Sequence, residues 1–217
     1  MGRDSRSNGA VVFAEDLPVF DRRLALVVMA PVAALSLSGC GINSVPTAEE
    51  NAKAKWADVQ ANFQRRANLI PNLVATVQGQ AASERQILTE VTNARAGASN
   101  VSLTPEQLND PAAMARYQQA QGQVTVALGR LVALQEQYPQ LRSQEGFLNL
   151  QTQLEGTENR IAISIRDYNA AVQSYNTTIR TFPDIIGAKI IHGAQPMTPY
   201  QATTPNAEVA PTVNFGQ

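Results

Sequence analysis

Few residues in this chain could carry covalent chemistry. Cys40 and His192 are the sole cysteine and histidine among 217 residues. That count excludes a disulfide, a zinc cage, a haem pair, and a Cys/His dyad with a second His to spare. His192 stands beyond the last apolar residues and reads as a solvated or capping side chain. Cys40 has a more specific context. Residues 24–37 are almost wholly apolar, follow Arg22 and Arg23, and run into Leu37-Ser38-Gly39-Cys40. The run is shorter than the ~20 residues a helix needs to cross a bilayer. A basic pair, a short apolar core and then small residues have the order of a secretory leader.

The segment ending at Cys40 resembles the bacterial lipobox. That resemblance implies cleavage before Cys40 and a lipid on its sulfur, so the expected parts are a leader over 1–39, and a lipidated Cys40 with a short tether over 40–46. A tether of this length reaches at most ~20 Å. Glu15, Asp16 and Asp21 are unusual so early in a leader, and a start nearer Val19 would explain them. Gly41, where an Asp would retain the protein at the inner membrane, implies the periplasmic face of the outer membrane in a Gram-negative cell.

The remaining candidate chemistry is polar rather than covalent. Arg65, Arg66, Glu155, Glu158, Asn159 and Arg160 are candidates for a cluster between helices, because Glu155 and Asn159, four apart, share one helix face. Such a cluster either recognises a partner or fixes the register of a bundle, as polar seam residues do. Lys plus Arg is 17 against 18 for Asp plus Glu, a net charge of −1. There is none of the basic excess that phosphate binding demands, and nucleic acid is not an expected partner. No catalytic residue set, metal site or cofactor is expected.

Positioning these groups requires long amphipathic helices. Thr47-Ala48-Glu49-Glu50 fits a capping box and predicts a helix start. From Trp56 the apolar seam continues through Val59, Phe63, Ala67, Ile70, Val74, Val77, Ala81, Leu88 and Val91, a coiled-coil spacing interrupted at Glu84. The reading is one helix over about 47–97, kinked at Pro71, with Asn72 placed to satisfy backbone groups the proline frees. Thr104-Pro105-Glu106-Gln107 predicts a short helical turn, and Asp110-Pro111 opens a second long helix with Tyr117, Val124, Leu128 and Leu131 in its seam. Gly122 and Gly129, seven apart, suggest close backbone approach to a neighbour. Pro139 stops this helix, and a third, from about Ser143 to Phe182, carries Phe147, Leu150, Leu154, Ile161, Ile165, Tyr168, Val172, Tyr175 and Ile179.

Tyr168-Asn169 and Tyr175-Asn176 repeat at one heptad, so polar groups are expected opposite the two tyrosines. A short helix over 185–191 closes the bundle region, 47–192. Residues 193–217, with prolines among Thr, Gln, Ala and Asn, read as a tail with little to bury. The expected fold is all-α: an elongated antiparallel up-down bundle of three long helices plus a short fourth, with the first ~75 Å long and the third ~60 Å.

Several motifs occur in order along the chain: Arg65-Arg66 with Leu69-Ile70-Pro71-Asn72-Leu73-Val74, Tyr138-Pro139-x-Leu141, and Phe147-Leu148-x-Leu150-Gln151. They continue with Glu155-Gly156-Thr157-Glu158-Asn159-Arg160-Ile161, the two Tyr-Asn pairs, Phe182-Pro183 and Pro211-x-Val213-x-Phe215. Together they resemble the LemA family over roughly 50–192 plus the last strip. The resemblance implies a bacterial envelope protein with an extracytoplasmic helical bundle and no enzymatic activity or catalytic residues to carry over. Many relatives begin with an uncleaved transmembrane helix, from which the Cys40 context departs.

Three function classes follow. A membrane-tethered scaffold with an envelope protein partner, able to self-associate through helix packing, is favoured by the elongated shape. A small-ligand carrier would require a cavity in the bundle core lined by Gly122 and Gly129. A cell-wall hydrolase using Glu155 and Glu158 is disfavoured, since nothing separates them from an ordinary helix surface.

Overall fold

The computed structural model describes residues 19–201, with side chains from Asn43 onward. The chain divides into two compact units, Met1–Cys40 and Gly41–Gln217. Of the first unit, the backbone from Val19 is helical. Residues 1–18 of the expected leader, and the side chains of the rest of it and of Cys40, lie outside the described residues.

The second unit is an all-α bundle, as expected, but its helices are divided differently. Helix α1 is Val19–Gln78. It runs through Thr47 without a start there, and the Thr47 hydroxyl instead donates to the Asn43 carbonyl one turn back, at 2.7 Å. The six residues 41–46 are therefore helical and not an extended tether. A capping box on sequence grounds requires a free first turn, and the preceding residues supply helical carbonyls instead.

α1 also continues through Pro71, as expected, and ends seven residues later. The chain turns over residues 79–84 and α2, Arg85–Ser99, begins. The turn is closed by Ala81 N–H to the Val77 carbonyl at 2.8 Å and Glu84 N–H to the Ala81 carbonyl at 3.0 Å. α2 doubles back along α1, since the Arg95 Nε donates to the carbonyl of Ala67 at 2.8 Å. The single helix expected over 47–97 is thus a helical hairpin. The apolar seam misled because Ala81, in the turn, is only 1% exposed and keeps the pattern in phase across the reversal.

A 3₁₀ turn at Pro105–Gln107 carries the expected capping box, with Thr104 N–H donating to Gln107 Oε1 at 3.1 Å. α3, Pro111–Gln137, is capped by Asp110, whose carboxylate accepts the Ala112 N–H at 2.8 Å. Pro139 ends α3 and opens a single turn, α4, Pro139–Arg142. α5 is Glu145–Thr178, about 51 Å at ~1.5 Å per residue. α6, Asp184–Gly187, passes into a π turn, Ala188–His192.

The directions follow from the cross-helix contacts. Trp56 of α1 meets Tyr117 of α3 and Tyr168 of α5, with ring centroids 5.3 and 5.2 Å apart. Ten residues further along α1, Arg66 meets Gln121 of α3 and Glu158 of α5. Residue numbers rise together on α1 and α3 and fall on α5, so the order is up, down, up, down over α1, α2, α3 and α5. α1 and α3 are parallel, not antiparallel, because α2 intervenes.

The core consists of two clusters. One gathers Trp56, Phe63, Leu103, Leu108, Tyr117, Ile161, Tyr168 and Tyr175 near the α1 entry. The other gathers Ile70, Leu73, Val77, Leu88, Val124, Leu131, Leu141, Phe147 and Leu154 near the α1–α2 turn. Phe63 shares a cluster with Ile161 and Tyr168, whereas Ile70 and Val77 share the other with Leu154. What separates them is polar.

Candidate functional site

The division between the clusters falls at the same level on three helices. Arg66 lies between Phe63 and Ile70 on α1, Gln121 between Tyr117 and Val124 on α3, and Thr157 and Glu158 between Leu154 and Ile161 on α5. Arg66 is 2% exposed. A guanidinium so placed requires its donors filled, because an unpaired buried charge is costly. Nη2 donates to Gln121 Oε1 at 2.7 Å and to the Gln121 carbonyl at 3.2 Å. Nη1 donates to Thr125 Oγ1 at 2.9 Å and to Glu158 Oε1 at 3.2 Å. The cation also lies 4.9 Å from the Phe63 ring centroid, a cation–π distance. Among the described residues, no buried side-chain nitrogen or oxygen lacks a hydrogen-bond partner.

Of the six residues expected to form a polar cluster, the structure brings together Arg66 and Glu158. Arg65, Glu155, Asn159 and Arg160 are exposed. Glu155 accepts instead from Gln151 one turn back, at 3.0 Å. A heptad-long polar stretch cannot all face the seam, and Glu158, with its side chain 39% exposed, reaches Arg66 from the seam's edge. Gln121 and Thr125 were not distinguishable from other polar residues of α3, since their role depends on which helix lies opposite.

Pro71 has a partner on another helix. Its missing N–H leaves the Ala67 carbonyl without its helical donor, and that carbonyl is the one Arg95 of α2 fills. Asn72 does not serve this purpose. It is exposed, and its own carbonyl accepts from Thr76 Oγ1 at 2.8 Å.

The Tyr-Asn repeat of α5 holds the segment after α6. Gly193, at φ +56°, adopts a left-handed conformation that ends the π turn and reverses the chain. Residues 194–201 then run back along the bundle. Tyr175 Oη donates to the Gln195 carbonyl at 3.1 Å and Tyr168 Oη to the Thr198 carbonyl at 2.9 Å. Asn176 pairs with both backbone groups of Met197, accepting its N–H at 2.9 Å and donating to its carbonyl at 2.8 Å. Asn169 does the same with Tyr200, both at 2.8 Å.

The spacing has a simple origin. Seven helical residues rise ~10.5 Å, and three extended residues span ~10 Å. A heptad on α5 therefore matches a three-residue step on the strap. Polar partners opposite the two tyrosines were expected, and they are backbone carbonyls. The expectation of a tail with little to bury fails over this stretch: Met197 and Tyr200 are only 7% and 8% exposed. Tyr200 packs 6.0 Å from Phe63, centroid to centroid, and a Thr198 N–H bond to the Leu108 carbonyl at 2.8 Å ties the strap to the α2–α3 loop. Burial pushes the Tyr200 hydroxyl up to about 12 and raises those of Tyr168, Tyr117 and Tyr175.

Trp56 is a core residue, fully buried, with its indole N–H donating to the Leu103 carbonyl at 3.1 Å. His192 is exposed on the last π-helical turn. Gly129 is exposed, and a Cβ there would meet nothing within 4 Å, so it marks no close helix approach. Gly122 lines an open groove between α2 and α3 with Arg85, Glu90, Asn93 and Val126. Seven apart, the two glycines share one face of α3, but that face belongs to neither core cluster, so they line no cavity in the core. Among the described residues no helix is long and apolar enough to cross a membrane.

The geometry is that of a helix-positioning centre. Arg66 is paired through both of its Nη atoms, and the hydroxyls of Tyr168 and Tyr175 grip backbone. Known proteins are similar to this chain in sequence. The magnetosome protein MamQ of Magnetospirillum gryphiswaldense is 32% identical over 176 residues, covering 74% of this chain and 65% of its own. The magnetosome protein MamQ 2 of Paramagnetospirillum magneticum is 31% identical over the same shares. Protein LemA of Metamycoplasma hominis is 27% identical over 127 residues, covering 57% of this chain and 52% of its own. The chain thus spans just under two thirds of the length of the magnetosome relatives. The LemA family model matches residues 55–215, which takes in the Arg66 layer, the Pro71 turn of α1, the Tyr-Asn repeat and the strap it holds, and on that match this chain belongs to the LemA family.

Proposed function

We propose that this protein is a non-catalytic scaffold or protein-interaction module of the bacterial cell envelope, held to the membrane by a lipid on Cys40 with its bundle extracytoplasmic. In a Gram-negative cell the sorting position at Gly41 favours the periplasmic face of the outer membrane. The observation that carries the reading is where the polar groups are spent. Arg66, Gln121, Asn169, Asn176 and the tyrosines hold helices and strap together, leaving a rigid body whose outer faces are rich in Gln, Asn, Ser and Thr. Such a surface suits contact with another protein of the envelope. Relatives named as magnetosome proteins support a place in a cellular structure and name no reaction.

Two measurements test this. Intact-mass spectrometry of the membrane fraction should find a chain beginning at Cys40 and carrying acyl mass; an unmodified Cys40 with residues 24–37 still attached would sink the anchor. Crosslinking in intact cells should capture an envelope protein, more weakly from a chain truncated after Gly193. If neither form captures one, while purified protein binds a small molecule stoichiometrically, the scaffold reading gives way to a carrier.

A further inference from the structure

The end of the bundle at which α1 enters carries an apolar face without a protein partner in the fold. Phe182 is 80% exposed, Ile190 79%, Ile191 58% and Ile186 52%. Among the described residues the other exposed large apolar side chains are Val126, Leu148 and Ile163, scattered over α3 and α5. Four of the seven therefore lie within one ten-residue stretch, where isolated exposures would need no explanation but a group does. The same stretch exposes Arg180 and Lys189. Its acidic member, Asp184, accepts from Ser44 Oγ at 2.5 Å. On α1, Glu49 and Glu50 are both taken up by Lys53, at 2.8 and 2.9 Å. Glu106 and Asp110 lie on the neighbouring α2–α3 loop.

The Ser44–Asp184 bond places Ser44 beside this face. Cys40 precedes Ser44 by four residues, so at most ~14 Å of backbone can separate them whatever its conformation. A lipid on Cys40 would thus place the face within reach of the headgroup layer. Aliphatic and aromatic side chains beside uncompensated Lys and Arg are the composition that lies in such an interface, the apolar groups entering the acyl boundary and the cations meeting anionic headgroups.

We propose that the end face formed by Phe182, Ile186, Ile190 and Ile191 docks into the bilayer surface that holds Cys40, giving the bundle a second support on the membrane. This inference rests on the anchored reading above. A lipid at one residue leaves the bundle free to reorient, and a second contact would fix its orientation on the bilayer.

The test uses the full chain carrying Phe182→Trp, purified from membranes and reconstituted into phosphatidylcholine vesicles containing phosphatidylglycerol, with or without brominated acyl chains. Trp56 is buried and supplies the background, measured in the unsubstituted chain. The emission added by Phe182→Trp should be blue-shifted and lose about half or more of its intensity to the bromines. Ile186→Asp with Ile190→Asp, both exposed positions that leave the core intact, should abolish that quenching. Flotation with vesicles reports the anchor separately. A chain that floats but whose added emission is insensitive to bromine overturns the docking alone, and a blue shift without bromine sensitivity assigns the face to a second copy or another protein. A chain that does not float overturns both readings.

Discussion

Arg66 shows at the residue scale how one charge can organise a core. Its side chain is 2% exposed while that of Glu158 is 39% exposed, so the two ends of the pair are unequal. Removing the carboxylate leaves a buried cation with neutral acceptors; removing the cation leaves a carboxylate that water can reach. Glu158→Gln should therefore cost about 1–2 kcal/mol in urea unfolding, discounted for its exposure. In an Arg66→Met background the same change should cost little, and equal costs in both backgrounds would deny the coupling. The buried tyrosines set the alkaline limit. Tyr200 is pushed up to about 12 by burial, so the folded chain keeps its proton where the unfolded chain loses it, near pH ~10. Its contribution is whole below pH ~10 and disappears as pH rises through the folded value. Unfolding followed from pH 9 to 12 should show stability falling from about pH 10 upward; a flat profile would contradict the buried, neutral phenol.

Elements here depend on neighbours to complete them. α1 continues through Pro71 with the Ala67 carbonyl supplied by Arg95 across the hairpin. Arg95→Ala should cost about 1 kcal/mol in the natural chain and much less in a Pro71→Ala background, where the restored amide fills that carbonyl. A cycle without coupling would mean that the arginine contributes nothing through this bond. The strap depends on α5 in the same way. Asn169→Ala and Asn176→Ala each remove a pair of backbone bonds and should cost about 1–3 kcal/mol. The more specific sign is local: amide exchange at Met197 and Tyr200 should accelerate well before that of the α5 core. Unchanged exchange at both amides would show that apolar burial alone seats the strap.

The bundle as a whole is two cores joined by one polar layer. Phe63 belongs to the cluster closed by the strap, Val77 to the cluster closed by the α1–α2 turn and α4. Phe63→Ala should cost about 3–5 kcal/mol and Val77→Ala about 1–3 kcal/mol. Because the sites lie in separate clusters, the double variant should equal their sum within ~0.5 kcal/mol. A larger deviation would mean that the polar layer transmits strain from one half to the other. An upright bundle on a membrane would present the strap half to the lipid and the hairpin half to a partner, so damage to each half should be separable in localisation and in crosslinking.

Periodicity determined most of the buried seam: Trp56, Val59, Ile70, Val77, Leu131, Leu154, Ile161 and Tyr168 lie in the interior as their spacing demands, but on α1 the seam passes through Arg66 and Leu73, while the expected Ala67 and Val74 are half-buried. It also determined the starts at Asp110 and Thr104 and the stop at Pro139, which depend on local backbone chemistry. The reversal at 79–84 was not legible, since a short turn that keeps Ala81 inside leaves the apolar repeat unbroken. Nor, outside the local caps, was the choice of partner across helices. Arg66 and Arg65 are adjacent and alike in sequence, and only the helices opposite make one a buried hub and the other a surface charge. The Tyr-Asn repeat was visible as a heptad, but its ligand, a strand of the chain's own tail stepping three residues for every seven, exists only once both are folded side by side. Burial patterns are carried by each helix alone, whereas pairings belong to two segments distant in sequence, and tertiary structure decides those.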